Sequence, residues 1–67
     1  MVRDFPLAPL EKLAREAGAE RVSLSAVKAL REAVLELAER ISSEAWVAAQ
    51  HAGRVTIKSS DIKIAYR

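Results

Sequence analysis

The chain has no cysteine and no asparagine, one histidine, two glycines, two prolines and only 4% aromatic residues. Without cysteine, no disulfide can hold a small fold together, and no His/acidic cluster has the spacing of a structural metal site. Few Gly and Pro beside 51% hydrophobic and 30% charged residues exclude a disordered or linker-like chain. The longest uncharged stretch, residues 45–52, is far short of a membrane span. Arg3 and Asp4 stand where a secretory leader would need its apolar run, so the expectation is a soluble, cytoplasmic protein. No nucleophile and base are paired, no phosphate-cradling glycine loop is present, and His51 has no acid at catalytic or ligand spacing. The sequence therefore predicts neither an enzyme nor a cofactor- or metal-binding protein.

What remains is helical patterning. Pro6 and Pro9 flank a helix start; Leu10, Leu13, Ala14 and Ala17 follow at helical spacing, and Gly18 supplies a stop. Glu11 and Arg15 stand four apart in the favourable order. After a connector over residues 19–22, Ser23 is a good N-cap for a second helix, because its hydroxyl can accept an orphan backbone N–H. No glycine or proline then occurs before Gly53, which predicts one long helix from Leu24 to His51. Val27, Leu30, Val34, Leu37 and Ile41 form its apolar stripe, continued by Ala45, Ala48 and Ala52. Val55, Thr56 and Ile57 read as a brief extended piece, and Ser59 or Ser60 as the cap of a short last helix whose inward face is Ile62, Ala65 and Tyr66.

The long helix forces a second chain. It is roughly 42 Å long, whereas a compact globule of 67 residues is only about 28 Å across. Two flanking helices of roughly 15 Å each cannot cover the apolar stripe at both ends. A hairpin with the long helix broken midway would need a kink residue that residues 24–52 do not contain. The expectation is a single domain over residues 1–67, stable as an intertwined antiparallel dimer whose core is Val27, Leu30, Val34, Leu37 and Ile41.

Net charge is only +2, with an isoelectric point near 9.4, so composition alone argues weakly for a polyanionic partner. Particular residues argue more strongly. Leu7-Ala8-Pro9-Leu10, Ala17-Gly18-Ala19-Glu20-Arg21-Val22-Ser23, Ser43-Glu44-Ala45, His51-Ala52-Gly53-Arg54 and Thr56-Ile57-Lys58-Ser59-Ser60-Asp61-Ile62 closely resemble archaeal histones. The resemblance runs from residue 5 to the last residue and is most specific in the two connectors; the long helix matches mainly in its apolar pattern.

The resemblance implies an all-α histone fold: short helix, long central helix, short helix, paired as a handshake dimer with itself or with a paralogous histone. It implies double-stranded DNA as partner, bound, bent and wrapped largely without sequence specificity, in association with the chromosome. The first connector of one chain would lie beside the second connector of the other. On this pattern Arg21 enters the minor groove with Thr56 beside it, Lys58 contacts phosphate, Ser23 shares the connector surface, and Lys12 and Arg15 add phosphate contacts. A guanidinium inserted in a narrow groove, together with contacts to the backbone, bends DNA without discriminating bases well. Arg54 and Asp61 would clamp the second connector. His51 of one dimer, with Asp61 of a neighbouring dimer and Ala48 nearby, would join dimers into tetramers or longer stacks, and Gly18 would permit close stacking of successive turns.

Three departures from the family pattern stand out. Val55 occupies a position where a basic residue is usual, which removes a phosphate contact, and Ala48 is smaller than the leucine expected there. Trp46 is unusual; on the long helix it reads as a packing residue near Tyr66 rather than one that stacks on a base. The modest charge and Val55 keep open an alternative, a histone-fold subunit of a transcriptional or other assembly with weak general DNA binding.

Overall fold

The computed structural model describes residues 4–66. Their elements are three α-helices: α1 (Ala8–Glu16), α2 (Leu24–His51) and α3 (Ser59–Ala65), with no strand among the described residues. The chain divides into two compact units, Met1–Leu35 and Glu36–Arg67, and α2 contributes its first half to one and its second half to the other.

In the first unit, α1 opens with Pro9 in its first turn, where a missing N–H costs nothing because no intrahelical acceptor is waiting for it. Glu11 and Arg15 form the ion pair their spacing predicts, at 3.3 Å; with both side chains about half exposed, it adds little stability. The helix ends in a Schellman turn. Gly18 N–H donates to the Arg15 carbonyl at 3.0 Å and Ala19 N–H to the Ala14 carbonyl at 3.3 Å, while Gly18 sits at φ +115°, a conformation that side chains with a Cβ resist. The next helix begins as Ser23 dictates. Ala26 N–H donates to Ser23 Oγ at 3.1 Å, and Val27 N–H to the Ser23 carbonyl at 3.1 Å. Removing such a cap typically costs about 1 kcal/mol. Leu10 and Val27 are the buried apolar side chains of this unit.

The second unit repeats the device at the other end of α2. Gly53 N–H donates to the Gln50 carbonyl and Arg54 N–H to the Ala49 carbonyl, both at 2.9 Å, with Gly53 at φ +73°. Ala45 and Ala49 are fully buried.

Two sequence expectations change here. Ser59 and Ser60 both lie inside α3, and the N-cap residue is Lys58. The capping oxygen comes from the third position of the helix instead: the Asp61 carboxylate accepts the Lys58 N–H at 2.8 Å. Val55 and Thr56 lie in a bend, so residues 55–57 do not run on as one extended piece.

Between Glu36 and Arg40 every residue of α2 is exposed, Leu37 at 41% among them. Leu30, Val34 and Ile41 are only partly covered. Of the five stripe residues, Val27 alone is buried by its own chain, at 2% exposure. Trp46 is 38% exposed, so most of its ring is covered by its own chain, while Tyr66 is 66% exposed. No helix of the described residues is long and apolar enough to cross a membrane.

Candidate nucleic-acid interface

The residues singled out for contact fall on two short connectors, one at each end of α2 in the sequence, and on α1. In the first unit Lys12, Arg21 and Ser23 are exposed. Ser23 carries two roles at once, since its Oγ caps α2 and also lies 3.2 Å from Ser25 Oγ. Arg15 proves more structural than its spacing implied. Its Nε and Nη2 both reach Glu11 Oε2 at 3.3 Å, and its Nη1 donates to the Glu20 carbonyl at 3.0 Å, tying α1 to the connector that carries Arg21. No spacing rule signals that last bond, because it depends on where the turn after Gly18 sends the chain.

In the second unit a single guanidinium organises the connector. Arg54 Nη1 donates to Asp61 Oδ2 at 2.9 Å and Nη2 to Asp61 Oδ1 at 3.0 Å, a two-pronged match of planar groups. Nη1 also donates to the Thr56 carbonyl at 2.9 Å, which fixes the connector between the two charged residues. Asp61 is buried at 2% exposure, so its charge is held by these donors rather than by water. Hydrogen bonding from Arg54, then from the Lys58 backbone, outweighs burial and holds the Asp61 carboxyl down to about 2, from 3.8. The same bond raises Arg54 above its ordinary value against the opposing effect of burial. At neutral pH Arg54 and Asp61 are therefore ionised together.

The consequence is a shaped loop. Thr56 and Lys58 are exposed on it, and so is Val55, at 87%. His51 and Ala52, at the end of α2, are exposed, and Ala48 is partly so. The Asp61 Oδ1 atom accepts one bond within the chain and has a second lone pair.

Comparison with known proteins gives the family. Residues 3–66 match the model of the family described as histone-like transcription factor (CBF/NF-Y) and archaeal histone. The chain belongs to this histone-fold family. It is 45% identical over 64 residues to one of the subunits of archaeal histone HAN1 from Thermococcus zilligii, covering 96% of each chain. To probable archaeal histone 3 of Methanocaldococcus jannaschii it is 41% identical over 64 residues, again covering 96% of each. In histone-fold terms, the three helices and the two helix-end glycines are the expected order of elements, with no strand needed within one chain.

Proposed function

We propose that this histone-fold chain forms an antiparallel handshake dimer that binds, bends and wraps double-stranded DNA with little regard to sequence, in association with the chromosome. It is one domain that a second chain completes. The uncovered middle of α2 supports the dimer: Leu37 is 41% exposed and Val34 and Ile41 are part-exposed, an apolar surface that water disfavours. Val34 and Ile41 are equally far from the helix midpoint, which falls between Leu37 and Ala38, so the stripe matches itself when reversed. Arg31 adds a polar motive, because its Nε is buried with no partner among the described residues and an incoming chain can supply an acceptor.

The observation that carries the DNA reading is the Arg54 clamp, which holds the second connector so that Thr56 and Lys58 face outward. In the dimer they would join Arg21 and Ser23 of the partner's first connector, with Arg21 entering the minor groove and Lys12 and Arg15 near phosphates. Arg15 would contribute charge while keeping its bond to the connector. Dimers would stack through His51, Ala48 and the remaining lone pair of Asp61. Gly18, with open space where a Cβ would stand, would face the next turn of protein. The role is structural rather than catalytic.

Binding to unrelated duplexes tests this reading. A steep fall of affinity with salt on every sequence, and nuclease-protected fragments that grow in regular steps, are expected. Absence of binding to random duplex at moderate salt would overturn it. One observation favours a second reading, a subunit of a transcriptional or other assembly: Val55, 87% exposed on the second connector, is uncharged. That reading predicts weak binding to random DNA and tight association with a different histone-fold chain.

A further inference from the structure

Four residues near the end of α2 make a face that matches itself. At about 100° per residue, Glu44, Val47, Ala48 and His51 share one patch roughly 100° wide on the helix. Ala45 and Ala49, which this unit buries for itself, are centred about 130° round the axis from that patch. Glu44 and His51 are exposed, Ala48 is partly so, and Val47 is 49% exposed. Neither Glu44 nor His51 has an ion-pair partner among the described residues. The acid stands three residues before the apolar pair and the histidine three residues after it, so the patch is its own complement when reversed.

We infer that this patch packs against the same patch of a second dimer of this chain, the two α2 ends lying antiparallel about a two-fold axis between Val47 and Ala48. The inference rests on the dimer proposed above and gives the contact between dimers an apolar centre, Val47. Each dimer offers the same surface, as a two-fold contact requires. Glu44 then stands level with His51 of the neighbouring dimer, once at each end of the seam. A histidine N–H can donate to a carboxylate whichever ring nitrogen carries the proton, and the second nitrogen remains for Asp61. Antiparallel helices bring equivalent flanks of a seam together, so Val47 meets Val47 on one side and Ala48 meets Ala48 on the other. The small Ala48 permits close approach, and Val47 supplies apolar burial that Ala48 lacks. With helix axes roughly 8–9 Å apart, the two Val47 Cα atoms come to about 6 Å, within the span of a disulfide.

The chain has no cysteine, so Val47→Cys introduces a single reporter thiol. Under mild oxidation, free in solution or on long duplex DNA, it should link two chains at least about tenfold faster than Gln50→Cys, an exposed position about 110° round the helix from the seam. The handshake dimer cannot supply that link. Each residue 47 lies about nine and a half residues beyond the α2 midpoint, which separates the two by roughly 28 Å. Glu44→Lys and His51→Glu should each weaken association between dimers about tenfold, and the two together should recover most of the loss, because the exchanged charges face each other again. Additive losses in the double variant, or Val47→Cys linking no faster than Gln50→Cys while dimers sediment intact, overturn the inference and leave the dimer standing. A wild-type chain that sediments as a monomer at every concentration overturns the dimer reading itself, and the inference with it.

Discussion

Arg54 reaches across the second connector to grip both oxygens of Asp61, at 2.9 and 3.0 Å, and the same guanidinium holds the Thr56 carbonyl at 2.9 Å. One side chain thereby links the end of α2, the middle of the connector and the start of α3. The loop that carries Thr56 and Lys58 owes its shape to that grip.

Asp61→Ala should therefore cost both stability and binding. The Arg54 charge would lose its partner, α3 its N-terminal cap and the connector its anchor; a fall of roughly 5–15 °C in the thermal midpoint is expected. DNA affinity should fall even at temperatures where the variant is folded. Arg54→Lys should lower the thermal midpoint as well, because a single ammonium cannot span two oxygens and a carbonyl at once. Thermal melts followed by circular dichroism decide the point, and a variant that melts with the wild type would remove the clamp from this account.

Acid should find the same pair. The Asp61 carboxyl is held down to about 2 when folded, against 3.8 otherwise. A depressed carboxylate contributes stability that is fully present above pH 4 and lost progressively as pH falls from 3.8 toward 2. Denaturant melts between pH 5 and 2 should show that loss in the wild type and a shallower one in Asp61→Asn. Parallel curves for the two proteins would mean that another group governs acid sensitivity.

Arg21→Ala should weaken binding to all duplexes alike, since a groove-inserted guanidinium beside phosphates carries little base information. A dimer loses two such cations, so the logarithmic dependence of affinity on salt should become shallower by roughly 1.8. Titrations at several salt concentrations measure it. A loss confined to certain sequences would instead make Arg21 a reader of bases.

His51→Ala should separate dimer binding from stacking. Short duplexes that hold one dimer should be bound as before, while the nuclease ladder on long DNA should stop at its smallest step. An unchanged ladder would place the contact between dimers somewhere other than His51 and Ala48.

The linear order of residues was enough to place α2, because nothing between Ser23 and Gly53 can end a helix and each flanking residue does so by local geometry. Gly18 was legible for the same reason, although its φ of +115° makes glycine necessary for the turn itself, before any question of stacking arises. The motif around Arg54 and Asp61 marked the clamp. The third bond of that clamp, to Thr56, was not legible, nor was the transfer of the capping role from the serines to Asp61. Both depend on how a seven-residue loop folds back on itself.

The sequence by itself determined the three helices and both ends of α2, since propensity, capping and apolar period act between residues a few positions apart. Only the tertiary structure decided which apolar side chains one chain can cover for itself. It buried Val27, Ala45 and Ala49, left Leu37 and Trp46 about two-fifths exposed, and opened an alanine-walled hollow beside Arg21. Burial depends on what packs against a residue from elsewhere in the fold, and no period along the chain records that.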